Sequence, residues 1–125
     1  MIVEDEPTLR HIIARNLTSR GVMVQEAETA GEAVQHVLAE RPDLLLLDVN
    51  LPDRSGWDVL RDLRRQGIEV PTIVISAVYC SPSRLEEFRP LAYLHKPFPL
   101  EALLRLVIGP AEESTDDETE AERLD

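Results

Sequence analysis

Apolar residues recur at helical spacing in several stretches of this chain, and short runs of strand-forming residues separate them. Leu9, Ile12, Ile13 and Leu17 share one helical face, with Pro7 suited to the first helical position and Gly21 to the stop. Ala30, Ala33, Val34, Val37 and Leu38 repeat the pattern behind a capping pair of Thr29 and Glu32. Ser55 with Asp58 heads a third helix through Trp57, Leu60 and Leu63 that ends near Gly67. Ser83 with Glu86 opens a short fourth helix. Leu100, Leu103, Leu104 and Val107 mark a fifth, entered through Pro99 and left at Gly109.

Between these helices lie Met1-Ile2-Val3, Val22-Met23-Val24, Leu44 to Leu47, Val70 to Ile75, and Leu91 to Leu94, which read as five strands. Four leucines running into Asp48 describe a strand buried on both faces, as in the middle of a parallel sheet. Strict βα alternation with short connections requires parallel strands joined by right-handed crossovers. The expected fold is therefore α/β and doubly wound: five parallel strands in flavodoxin-like order 2-1-3-4-5, with helices on both faces.

Composition narrows this further. At 125 residues and 14.1 kDa the chain makes one domain, able to bury roughly two-thirds of its unfolded surface. The net charge of −11 is uneven, because residues 110–125 hold eight acids against one base and residues 1–109 hold sixteen against twelve. Residues 110–125 are expected to be an acidic disordered tail following a domain over residues 1–109. No basic stripe argues for nucleic-acid binding by this chain. Cys80 has no partner within the chain, no leader opens it and no run spans a membrane, so the expectation is a cytoplasmic protein with no membrane contact.

The chemistry lies at strand ends. Strand one ends in Glu4-Asp5-Glu6 and strand three in Asp48, and in the order 2-1-3-4-5 these strands are neighbours, about 4.8 Å apart. Converging carboxylates raise one another's pKa unless a cation sits among them, and a hard divalent ion such as Mg2+ suits oxygen ligands. Strand four ends in Ser76. Lys96, the only lysine among thirteen Lys and Arg residues, follows strand five. Acid pair, isolated acid, hydroxyl and lysine are the parts of a phosphoryl-transfer site with Asp48 as nucleophile.

In chain order, Glu4-Asp5-Glu6-Pro7, Asp48 through Pro52 to Gly56, Ser76-Ala77 and Lys96-Pro97-Phe98 resemble the receiver domain of two-component response regulators, from Met1 to about Gly109. The resemblance implies that Asp48 accepts phosphate from a phosphohistidine on a sensor histidine kinase or histidine phosphotransfer protein. It implies Mg2+ held by Asp5, Asp48 and the backbone carbonyl of Asn50, with Glu4 acting through water. Ser76, Ala77 and Lys96 would bind the phosphoryl group, the peptide before Pro97 would be cis, and Tyr93 would be the switch aromatic. The output is a change in protein contacts with an unidentified partner, or with a second copy of the chain as a homodimer, and the chain itself is not an enzyme. Strand one opens at Met1 and is shorter than usual in the family. The interval from Ser76 to Lys96 is also short, with Arg89-Pro90 where a glycine turn is usual, which puts the fourth helix in question.

Taken singly, these residues have plainer readings. Glu4-Asp5-Glu6 could be an acidic first turn, Ser76 a satisfied strand-end hydroxyl, Lys96 a surface charge and Tyr93 a half-buried aromatic. His11, His36 and His95 lack metal-ligand spacing, Trp57 packs the third helix, and Cys80 reads as an incidental thiol. Two rival functions stay open: a pseudo-receiver that binds partners without phosphate, and an aspartate-nucleophile phosphatase. The phosphatase needs a second acid two residues after the nucleophile, where this chain has Asn50.

Overall fold

A computed structural model describes residues 1–109, so the expectation for the segment 110–125 lies outside the described residues. The elements follow strict alternation: β1 Ile2–Val3, α1 Pro7–Thr18, β2 Glu26–Ala27, α2 Ala30–Ala39, β3 Leu45–Asp48, α3 Gly56–Arg65, β4 Thr72–Ser76, α4 Pro82–Phe88, β5 Ala92–His95 and α5 Leu100–Ile108. All strand pairs are parallel, in the order β2-β1-β3-β4-β5. The doubly wound sheet expected from the alternation is the one that forms.

Its core is divided by the pleat of β3. Leu45 and Leu47 face one way, onto Ala33, Val34 and Val37 of α2 and Val59 and Leu63 of α3. Leu46 faces the other way, with Ile2, Ile73 and Ile75, onto Ile13 and Leu17 of α1 and Leu103 and Leu104 of α5. Burying each of these valine, leucine and isoleucine side chains is worth about 1.5–3 kcal/mol. The run of leucines thus supplies both layers at once and delivers Asp48 as the last strand residue, itself buried.

Local chemistry sets the helix ends. Pro7 occupies the first turn of α1 as expected. Thr29 caps α2 by accepting from the Glu32 amide, whereas Glu32 reaches past it to accept from the Glu28 amide at 2.7 Å. Ser55 and Asp58 form a full capping box on α3.

Several expectations are corrected. The second strand is Glu26–Ala27, not Val22–Val24. Gly21, at φ +86°, turns the chain so that the Val22 amide still bonds back to Leu17, and the ladder begins only where Ile2 and Val3 supply partners. Val22 and Val24 still pack on the α1 and α5 layer while Met23 projects into solvent. Ile12 and Leu38 lie at the exposed margins of their helical faces. β1 and β3 start one residue later than expected, β4 starts after Pro71, which has no amide to donate, and β5 starts after the exposed Leu91.

The fourth helix forms despite the shortened interval, but its cap is Ser81 with Pro82 in the first turn, not Ser83. It ends at Arg89, whose φ of +47° and ψ of +59° put a non-glycine residue in the left-handed region. Arg89→Gly should therefore raise stability by about 0.5–1 kcal/mol, the left-handed penalty less the entropy glycine loses on folding. A urea midpoint that falls instead would show that the Arg89 side chain contributes more than its backbone costs.

Candidate functional site

Three strand ends and one loop meet at the carboxyl edge of the sheet. Val3 pairs with Leu47, so the residues that follow them, Glu4 and Asp48, emerge side by side. Carboxylate oxygens of Glu4, Asp5 and Asp48 all lie within 4.8 Å of one another. Glu4 and Asp48 are buried, whereas Asp5 is open to solvent.

Lys96, the first residue after β5, reaches back over β4 into this group. Its Nζ donates to Asp48 Oδ2 at 2.9 Å and stands 2.9 Å from Glu4 Oε1. The second contact is an ion pair without hydrogen-bond alignment, and Glu4 Oε1 is buried with no hydrogen-bond partner. Glu4 Oε2 accepts from the Glu6 amide, and Asp48 Oδ1 accepts from the Asn50 amide at 2.9 Å. Burial pushes the Glu4 carboxyl up to about 7, against the pull of Lys96, and the negative charge of Asp48 pushes the same way. Burial works to lower Lys96, but its hydrogen bond to Asp48 and its ion pair with Glu4 outweigh it and hold the ammonium above its usual value.

Three carboxylates share one ammonium here, so at neutral pH the pocket is short of positive charge. An orphaned buried oxygen on Glu4, an exposed carboxylate on Asp5 and a second buried one on Asp48 make a hard-oxygen set open on one side. That donor set fits a divalent ion that keeps several waters.

Other expected residues stand nearby with different partners. Ser76 ends β4 fully buried, but its hydroxyl donates to the Val78 carbonyl at 2.7 Å and accepts from the Val78 amide. Ala77 is exposed in the loop that follows. Tyr93, on β5, donates from Oη to the same Val78 carbonyl at 3.0 Å. Ser76 and Tyr93 therefore converge on one acceptor, which links the end of β4 to the middle of β5. The Lys96–Pro97 peptide is cis. Asn50 contacts Asp48 through its amide, and its residue is bridged to Ser55.

Residues with plainer roles fall into place as well. Trp57 is buried and stacks on Phe88 of α4, with ring centroids 5.3 Å apart, so it joins α3 to α4 and does more than pack its own helix. His95 stacks against Tyr79, and His11 lies 3.8 Å from Glu26. Burial pushes the Cys80 thiol up, the direction of an unreactive cysteine.

Three contributions escaped the sequence reading. Gly56 admits the Asp48 carbonyl so closely that a Cβ there would stand 2.4 Å from the oxygen. Asp53, from the β3–α3 loop, accepts from the amides of Ala30 and Gly31 at the start of α2, and those two bonds hold its carboxyl below the usual value. Arg10, on the inner face of α1, bonds the Glu4 backbone. The helical period marks position 10 as inward-facing, which was the one available signal.

Among the described residues no helix is long and apolar enough to cross a membrane. Residues 1–108 match the model of the response regulator receiver domain family. The chain is 39% identical to the KDP operon transcriptional regulatory protein KdpE of Escherichia coli, over 86% of this chain and 50% of that protein. It is 36% identical to the response regulator MprA of Mycobacterium ulcerans, over 83% of this chain and 46% of that protein. The chain thus spans about half the length of these curated relatives. Among solved structures it is similar to the BeF3-activated N-terminal receiver domain of Klebsiella pneumoniae RstA, with TM-score 0.73, 30% identity, and 86% and 94% of the two chains covered. It is also similar to the response regulator TrrA of Thermotoga maritima in complex with Mg2+-BeF, with TM-score 0.74, 27% identity, and 86% and 93% covered. An acid pocket at the switch point of a five-stranded doubly wound sheet, in a chain matched by the family model along nearly all its described length, places this protein in the response-regulator receiver domain family of two-component signalling.

Proposed function

We propose that residues 1–109 act as a phosphorylatable receiver in which Asp48 accepts a phosphoryl group from a phosphohistidine on a sensor kinase or histidine phosphotransfer protein. The observation that carries this reading is the position of Asp48: buried at the end of β3, within one ion pair of Lys96 and beside the acids of β1. An Asp48 carboxylate oxygen attacks phosphorus, the P–N bond to the donor imidazole breaks, and an acyl phosphate forms. Asp5, Asp48 and the Asn50 backbone carbonyl would hold a divalent cation, with Glu4 acting through water, and that ion would supply charge neutralisation at the phosphoryl oxygens. Mg2+ is the ion that suits this set, and the solved TrrA complex contains it.

The chain's own groups do the rest. Lys96 is already paired with Asp48 and would follow the new dianion. Ser76 and the Ala77 backbone stand at the adjacent strand end to donate to the remaining oxygens. When the Ser76 hydroxyl turns to phosphate it gives up the Val78 carbonyl that it shares with Tyr93. That exchange couples chemistry at Asp48 to the half-buried strand β5, around which partner contacts would change. KdpE, named as a transcriptional regulatory protein, and the response regulator MprA each carry about as much chain again beyond the matched part, and a segment of that kind or another protein would receive the output of this receiver.

Incubation of the full chain with Mg2+ and acetyl phosphate should add one hydroxylamine-sensitive phosphate per molecule, read by mass spectrometry. Asp48→Asn should abolish it, and so should chelation of the metal. Wild-type protein that binds Mg2+ yet takes up no phosphate would favour the pseudo-receiver, and many turnovers of a phosphate ester per chain would favour the phosphatase.

A further inference from the structure

Arg10 is the one arginine of the described residues that is buried, with its side chain only 7% exposed. A helix of this kind has no need of a buried guanidinium at a position where Ile13, Ala14 and Leu17 line the same face. The three bonds that Arg10 makes explain its presence. Nη1 donates to the Glu4 carbonyl at 2.9 Å, Nε to Glu26 Oε1 at 2.9 Å and Nη2 to Glu28 Oε2 at 3.2 Å.

The Glu4 carbonyl is where β1 leaves the sheet. The Glu4 amide still bonds to Ala27 on β2, but β1 itself ends at Val3. Arg10 takes over at that point and fixes the peptide that joins Glu4 to Asp5. The two carboxylates it orients are the two that β1 brings to the acid pocket. Glu26 and Glu28 answer the charge: guanidinium and two carboxylates together carry −1, so the brace does not repel a cation bound in the pocket. We propose that Arg10 is the positioning residue of the cation pocket, holding the Glu4–Asp5 peptide against β2 so that both carboxylates face the ion. This rests on the reading of the pocket as a cation site.

Titration of the full chain with MgCl2 by calorimetry tests it. Arg10→Met keeps the length of the stem and removes every donor, and Arg10→Lys keeps the charge but offers no planar fork to hold three acceptors at once. Both should weaken Mg2+ binding, Arg10→Met by about tenfold or more and Arg10→Lys by less, in the range typical for residues that orient metal ligands. Amide resonances of Glu4 and Asp5 should shift in both variants before metal is added. Should Arg10→Met fail to fold, Arg10→Lys decides alone. Unchanged Mg2+ affinity in a folded variant, even with a lowered melting temperature, would make Arg10 a structural brace only and overturn the proposal while leaving the phosphoacceptor reading intact. Absence of Mg2+ binding by the wild type would overturn both.

Discussion

Gly56→Ala should destabilise the protein by about 3 kcal/mol and slow phosphorylation of Asp48, although it adds a single methyl group. That methyl would stand 2.4 Å from the Asp48 carbonyl oxygen, 3.1 Å from its carbon and 3.1 Å from Leu47 Cγ. None of these atoms can yield cheaply. The Asp48 backbone belongs to β3, which is paired on one side with β1 and on the other with β4. The Gly56 amide is tied to the Val49 carbonyl at 2.7 Å, and the next residue, Trp57, is locked against Phe88. Either the end of β3 shifts, moving Asp48, the proposed phosphoacceptor, or the first turn of α3 slides and its capping box is lost. Urea unfolding measures the first effect and the rate of acetyl phosphate labelling the second. Gly31→Ala is the control, since its methyl meets only Asp53 Oδ2 at an ordinary 3.5 Å and adds helix propensity. Equal stability of the two variants would mean that the close approach at Gly56 is not tight in solution.

Lys96→Met should reduce the labelling rate by about 10²–10³-fold, because it removes the ammonium that, among the described residues, pairs with Asp48, the proposed nucleophile. It should also change how stability depends on pH in metal-free protein. In the wild type the Glu4 carboxyl is raised to about 7 from an ordinary 4.5, chiefly by burial. A carboxyl whose folded value is raised binds more protons folded than unfolded. Its contribution is therefore full below the unfolded value and is lost as pH climbs from about 4.5 through about 7. Without Lys96 only the Glu6 amide opposes burial and the charge of Asp48, so the loss extends to higher pH, and leaving the buried carboxylates without their cation costs the variant about 3 kcal/mol near neutrality. Mg2+ should flatten the pH profile of both proteins by supplying the missing positive charge. Chemical denaturation at several pH values, with and without MgCl2, reads this directly. A Lys96→Met protein that labels at the wild-type rate would remove Lys96 from the proposed phosphoryl site.

Much of the site was visible before the fold because a parallel sheet sends the ends of all its strands to one edge. Once Leu44 to Leu47 read as a buried strand, Asp48 had to emerge at that edge, and Glu4, Ser76 and Lys96 followed by the same rule. Helix ends were legible where the signal is local, as with Pro7, Thr29 and the Ser55–Asp58 box. The second strand was not, because Val22 to Val24 has the pattern of a strand but no partner: ladder pairing depends on where β1 lies, which no property of the segment itself records. Ile12 and Leu38 show the same gap, since periodicity marks a face but not how far the neighbouring layer covers it.

By itself the amino-acid order determined the alternation of strands and helices, the two faces of the sheet and the residue types at its carboxyl edge, since these follow from hydrophobic period and chain connectivity. Only the tertiary structure decided which groups touch. It aimed Lys96 at both Glu4 and Asp48, turned Ser76 onto the carbonyl it shares with Tyr93, brought Arg10 to the Glu4 backbone and pressed the Asp48 carbonyl against Gly56. The physical reason is one of range: period and capping act over a few residues, whereas these contacts join segments that only a completed sheet brings within hydrogen-bonding distance.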